Sequence, residues 1–227
     1  MRRHKIVMGF SGGMDSTTLL GMLLNAGYEV HCCTFYYGSK HNLYENKAAE
    51  DIVGYYKEQG CSIEWHFFNL SEVFLPFKSD LLLTGGAIPE GHYEDSNMSK
   101  TVVPGRNLIF ASIMAGLAES IGAAAVALGV HSGDHTIYPD CRPEFVKALD
   151  MVLFLSSDKK VQVLTPMVDM NKTSILEVGF GLPIPVPYHL TRTCYKDQKD
   201  SCGKCGSCQE RLEAFHNINR IDPITYE

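Results

Sequence analysis

Apolar residues in the chain recur as short unbroken blocks separated by longer stretches of helical spacing. The first block, Lys5-Ile6-Val7-Met8-Gly9-Phe10, has the length of a strand. Residues 17–24 repeat apolar side chains at three- and four-residue intervals, which predicts a helix that Gly27 closes. Residues 29–36 read as a second strand, with Cys32 and Cys33 on opposite faces as small buried hydrophobes. A helix from about residue 41 to 59, stopped by Gly60, leads to a third strand at 62–68. Further on, the pattern predicts a helix at 108–121, a strand at 124–129 apolar on both faces, and a helix from Pro143 to about Phe154. A strand at 161–164 and a short helix at 172–179 follow. Strands alternating with helices predict an α/β fold with a doubly wound, mostly parallel sheet.

Two stretches break this periodicity. Residues 76–106 are punctuated by Gly85-Gly86, Pro89-Glu90-Gly91 and Pro104-Gly105, and a loop of that length inside a compact domain is usually functional or disordered. Residues 130–142 leave the carboxyl end of the fourth strand, where open α/β sheets bind ligands. Both are expected to wall a substrate cleft, in an α/β domain spanning 1–185. Residues 186–227 form a separate C-terminal segment with little apolar sequence of its own.

The turn after the first strand, Phe10-Ser11-Gly12-Gly13-Met14-Asp15-Ser16, carries the clearest chemistry. Its glycines let backbone N–H groups approach a ligand, and the following helix start adds unpaired donors and a positive dipole end. Ser11 and Ser16 can donate from hydroxyls, and Asp15 is suited to a Mg²⁺ shared with phosphates. No Lys-Ser or Lys-Thr pair follows the second glycine, which excludes a Walker loop, and the spaced glycines of a dinucleotide fingerprint are missing too.

Composition narrows the setting. A net charge of −6 argues against a basic nucleic-acid sheath, although it allows a local patch. The N-terminal basic residues lie too close to the glycine turn for a signal peptide, and no run approaches the roughly 18 apolar residues of a membrane helix. A cytoplasmic protein is expected. Four of the eight cysteines, Cys194, Cys202, Cys205 and Cys208, crowd one segment in the spacing Cys-x7-Cys-x2-Cys-x2-Cys. Two tight steps and a more distant fourth thiolate suit a closed tetrahedral Zn²⁺ site. Iron–sulfur ligation is the competing chemistry, and nothing in the sequence points to electron transfer.

The Ser-Gly-Gly-x-Asp-Ser turn resembles the pyrophosphate loop of N-type ATP pyrophosphatases, the PP-loop superfamily of adenine nucleotide alpha hydrolase-like folds. Those enzymes transfer AMP to a carboxylate or carbonyl oxygen, and a nitrogen or sulfur nucleophile then displaces it. The likeness extends along nearly the whole chain through FSGGMDSTT, IPEGHY, TVVPGRN, GVHSGDHTIYPDCRPEF, NKTSI, and TCY followed by CGKCGSC and ERLEAF. Together these resemble the QueC family of 7-cyano-7-deazaguanine synthases. The resemblance implies an ATP-driven conversion of 7-carboxy-7-deazaguanine and ammonia to the nitrile preQ0, with Mg²⁺, one structural zinc per chain and a homodimer.

On that resemblance the nucleotide cradle comprises Phe10, Ser11, Gly12, Gly13, Met14, Asp15, Ser16, Thr17 and Thr18, with Phe35 and Gly129 from the ends of the second and fourth strands. Asp15, Ser16, Lys172 and Arg106 are the catalytic candidates; Lys172 and Arg106 contact phosphate or carboxylate, or form structural ion pairs. His92, Tyr93, Arg106, His131, Asp134, His135, Tyr138, Asp140 and Arg142 are the substrate candidates, with Asp134 proposed to read the guanine-like edge. The chain departs from the family pattern at Gly38-Ser39-Lys40-His41, where Gly-Gln-Arg-His is usual, at Thr136-Ile137, and at Arg192, where an aromatic is expected. These positions leave the amine acceptor open. A defence-associated relative joining the activated carboxylate to a protein amine is one alternative, and a tRNA-modifying PP-loop enzyme is another.

Overall fold

The computed structural model describes residues 4–91 and 96–227. Its strands are β1 (Lys5–Gly9), β2 (Glu29–Tyr36), β3 (Ile63–Asn69), β4 (Ala125–Ala127) and β5 (Gln162–Leu164). They form one sheet in the order β3-β2-β1-β4-β5, and every pairing is parallel. Parallel neighbours need a crossover, and helices supply it. The helices are α1 (Met14–Asn25), α2 (Asn42–Glu58), α3 (Ser71–Phe74), α4 (Arg106–Ile121), α5 (Pro143–Ser156), α6 (Lys172–Phe180) and α7 (Gly206–Asn217).

Alternation along each strand sends neighbouring residues into two cores. Val7, Cys33 and Phe35 pack with Ala111, Met114 and Ala118 of α4 and with Val146 and Leu149 of α5. Ile6, Met8 and Cys32 pack with Leu19, Leu20 and Leu23 of α1 and with Ile52 and Val53 of α2. Each fully buried aliphatic side chain contributes about 1.5–3 kcal/mol. The double winding expected from the sequence is thereby realised, with Cys32 and Cys33 in opposite layers.

Strand order reverses between β1 and β4, and the loops leaving both strands open on the same edge. Gly129 lies there against α1, where an added Cβ would stand 3.5 Å from the Ser16 Cα.

Three features differ from the sequence reading. The 76–106 stretch contains a 3-10 turn at Ser96–Thr101. The C-terminal segment packs on the α/β domain: Met14, Leu176, Val186, Tyr188, Ala214 and Phe215 form a third cluster that joins α7 to α1 and α6. The glycines, cysteines and charges of 203–213 hide α7's periodicity, because its buried face is built from Cys208, Arg211, Ala214 and Phe215. Finally, residues 97–121 are long and apolar enough to cross a membrane by composition, contrary to the run-length reading. Ala111, Met114 and Ala118 of that stretch are buried in the core that packs on the sheet.

Candidate active site and metal centre

Backbone geometry builds the turn after β1. Gly12 has φ +76°, and a Cβ there would meet the Ala49 nitrogen at 2.6 Å, so a side chain is excluded on two counts. The Gly13 N–H donates to Ser11 Oγ at 3.1 Å, and Ser16 Oγ donates to the Gly13 carbonyl at 3.1 Å. No side chain caps α1, which leaves its first-turn N–H groups suited to an anion.

Asp15 stands in the first turn of α1 beside two cations. Its Oδ2 lies 3.4 Å from Lys172 Nζ, at the start of α6, and 3.6 Å from His131 Nε2, in the loop after β4. His131 also lies 3.5 Å from Asp134 Oδ2, and Lys172 donates to Glu210 Oε2 of α7 at 2.6 Å. Burial opposes ionisation of Asp15, but Lys172 and His131 outweigh it and hold the carboxyl well below its usual range. Burial likewise opposes the charged His131, yet Asp134 and Asp15 push it up to about 9. Lys172 is raised above its ordinary value by Asp15 and Glu210 despite burial. Asp15, His131 and Lys172 are therefore charged at neutral pH. Asp15 Oδ1 is buried without a hydrogen-bond partner, a vacant carboxylate oxygen that fits a hard cation such as Mg²⁺.

These groups face a cavity of about 250 Å³. Arg106, whose guanidinium lies 5.9 Å from the Tyr138 ring, also lines it, with Tyr37, His41, Glu45 and Asn107. The C-terminal segment closes the rim with Arg192, Thr193, Tyr195 and Ser207. Arg192 also pins the glycine turn, because its backbone N–H donates to the Gly12 carbonyl at 2.9 Å.

The fold thus gathers Phe10, Ser11, Gly13, Met14, Asp15, Ser16, Phe35, Arg106, Gly129, His131, Asp134, Tyr138 and Lys172 around one space. Other candidates sit behind it. Thr17 and Thr18 bond to the carbonyls of Gly13 and Met14, and Thr18 also meets the Tyr188 hydroxyl. Asp140 Oδ2 accepts from the Asn107 N–H and so anchors the start of α4. Arg142 is exposed and donates to the His135 carbonyl. His92 and Tyr93 lie outside the described residues, and Ile88 packs on the cysteine cluster rather than on the cavity. Sequence reading missed Tyr37, Glu45 and Tyr195 as lining residues, and named His41 and Arg192 only as departures from the family pattern; Asn107 ends the loop expected to wall the cleft. For His41 and Glu45 there was a signal: one helical turn apart, they follow the carboxyl end of a central strand. Glu210 gave none, since only tertiary packing brings α7 to Lys172.

The four C-terminal cysteines converge. Their sulfurs all lie within 4.8 Å of one another, and all four residues are buried. Backbone N–H groups of Lys196 and Cys202 point at Cys194 Sγ, and those of Lys204 and Cys205 at Cys202 Sγ, each at 3.4 Å. Hydrogen bonds from Cys205 and Cys208 hold the Cys194 thiol well below its ordinary range. Closed four-sulfur geometry with N–H support fits a structural tetrahedral metal.

A parallel sheet with a phosphate-type turn at its reversal point defines the class: a PP-loop protein of the adenine nucleotide alpha hydrolase type. In fold it is similar to a 4-thiouridine synthetase whose crystal structure was solved with RNA and ATP, with TM-score 0.52 and 21% identity over 92% of this chain and 50% of that one. The chain belongs to the family described as Queuosine biosynthesis protein QueC, which it matches over residues 5–219. It is 41% identical to the 7-cyano-7-deazaguanine synthase of Pseudoalteromonas atlantica and 42% identical to that of a Marinomonas species, covering 99% of both chains in each case. The corresponding synthase of Caldicellulosiruptor bescii is 42% identical over 98% of this chain and 97% of its own.

Proposed function

We propose that the chain is an ATP-dependent ligase that adenylates 7-carboxy-7-deazaguanine and converts it with ammonia to 7-cyano-7-deazaguanine. Full-length kinship with synthases of that name favours this reading over ligation to a protein amine or tRNA modification. The observation that carries it within the molecule is one cavity lined by two sets of charged groups. Asp15, Lys172 and His131 cluster at the α1 N-terminus, and Arg106 lines the same space.

The chemistry follows from that polarity. A carboxylate resists amines because oxide is a poor leaving group, and adenylation replaces oxide with AMP. The turn's N–H groups and Lys172 neutralise charge on the phosphates, while Arg106 holds the carboxylate in line with the α-phosphate. Ammonia then displaces AMP to give the amide, and a second activation of the amide oxygen permits loss of water to the nitrile. Mg²⁺ on Asp15 would supply further charge neutralisation. Zn²⁺ on Cys194, Cys202, Cys205 and Cys208 would be structural, bracing the segment that supplies Arg192, Tyr195 and Glu210.

Asp134 reads the base in this proposal, from a position beside His131. The enzyme acts as a cytoplasmic homodimer, which sedimentation of the purified protein tests. Mass spectrometry of products from 7-carboxy-7-deazaguanine, ATP, Mg²⁺ and ammonium should show the nitrile together with AMP and pyrophosphate. Release of ADP and phosphate would overturn the assignment.

A further inference from the structure

One pair of ionisable groups in the cavity has no part in nucleotide activation. His41 precedes α2 and Glu45 lies in its first turn; both line the cavity beside Arg106. His41 is only 5% exposed, and its Nε2 lies 3.3 Å from Glu45 Oε2. Its other ring nitrogen, Nδ1, is buried with no hydrogen-bond partner. With Nε2–H donating to the carboxylate, Nδ1 is left as an acceptor lacking a donor. An imidazole unpartnered on one nitrogen and tied to a carboxylate on the other is a relay whose entry is vacant.

We propose that His41 and Glu45 form the ammonium site of this enzyme, with His41 Nδ1 receiving an ammonium N–H and Glu45 taking the proton through the ring. The inference rests on the proposed use of ammonia as nucleophile. In the step, an N–H proton of ammonium moves to Nδ1 while the Nε2 proton moves to Glu45 Oε2. The products are ammonia, a neutral imidazole and a neutral carboxylic acid. Ammonia's lone pair attacks the acyl carbon, the bond from that carbon to the AMP oxygen breaks, and AMP leaves with its electron pair. The surplus proton on the new amide nitrogen goes to water, as does the Glu45 proton between cycles.

The surroundings favour that end state. Burial and the guanidinium of Arg106 push His41 down to about 3, and burial pushes Glu45 up to about 8 against the opposing charges of Arg106 and Arg192, so the carboxylate that takes the proton forms as pH rises through about 8. The titratable and charged groups facing the pair are those two arginines and Cys194. Two guanidinium groups disfavour a resident cation, so bound ammonium is driven to give up its proton.

The test compares three reactions in Glu45→Gln and His41→Gln. Pyrophosphate exchange into ATP, dependent on 7-carboxy-7-deazaguanine, reports adenylation and needs no ammonia. Turnover with ammonium needs the proton transfer. Turnover with hydroxylamine, uncharged at neutral pH, does not. Ammonium turnover should fall by about 100-fold, with exchange and hydroxamate formation retained. Glu45→Asp, which keeps the acceptor, should recover much of the ammonium reaction and controls for misfolding. Parallel loss of ammonium and hydroxylamine products, or equal behaviour of Glu45→Gln and Glu45→Asp, would overturn the ammonium site. Absence of carboxylate-dependent exchange in the wild type would instead overturn the proposed function.

Discussion

The glycine turn after β1 and the cysteine segment meet at the same cavity but are held by opposite means. The turn hangs from the sheet: the Phe10 N–H donates to the Cys33 carbonyl at 2.8 Å, and Thr34 Oγ1 donates to the Phe10 carbonyl at 2.8 Å. It is braced from both cores, so its stability is that of the whole domain. Residues 186–227 contribute no strand to the sheet among the described residues. Four sulfurs, the third core cluster and one buried ion pair hold them. Arg211, fully buried, donates to both Asp222 oxygens at 2.7 and 2.8 Å and to Thr191 at 2.6 Å. The regions are joined by the Arg192 N–H on the Gly12 carbonyl, by the Thr18–Tyr188 hydroxyl contact and by Met14 in the third cluster, and Glu210 adds a tie to Lys172 of α6. A loop positioned by the core is insensitive to single polar deletions. A segment positioned by a few point contacts is not.

That contrast is open to attack, starting with the metal. Purified protein should carry about one zinc per chain, and a strong chelator should cost the cysteine segment on the order of 10 kcal/mol. The checks are elemental analysis and proteolysis with calorimetry before and after chelation. Full stability after metal removal would show that the third core cluster alone secures the segment. Next in size, Arg211→Ala should destabilise by about 3–5 kcal/mol, because it strands the Asp222 carboxylate in the interior. Urea unfolding measures it, and a loss below 1 kcal/mol would mean that the pair is dispensable.

Asp15→Ala attacks the other side of the comparison. It should lower turnover roughly 10²–10³-fold in a protein that still folds, since the turn is carried by backbone contacts, while loss of the Lys172 and His131 partner lowers the unfolding midpoint. Unfolding of that variant would refute the core-braced picture. The smallest effect is a pH dependence of the nucleotide- and magnesium-free protein. His131 stands at about 9 when folded against 6.5 when unfolded. Its protonated form therefore stabilises the fold fully below pH 6.5, and that contribution fades as pH rises through about 9. It amounts to a few kcal/mol at most. Asp134→Asn should move the His131 transition, followed by NMR, to lower pH; an unmoved transition would remove Asp134 from the network.

Local pattern alone determined a great deal. Block length and alternation specified the parallel sheet and its layers, down to adjacent cysteines entering opposite cores, because strand periodicity is a local property. The glycine turn and the cysteine spacing were legible for the same reason, since each places its ligating atoms within a few residues. Tertiary structure decided what depends on approach between distant elements. Glu210 reaches Lys172 across 38 residues, His131 and Asp134 join Asp15 in one charged cluster, and His41 with Glu45 lines the same cavity. None of these has a sequence period. Their chemistry depends on burial and on charge separations of about 3–4 Å, which exist only once the sheet edge, the α7 helix and the cysteine segment have closed around the same space.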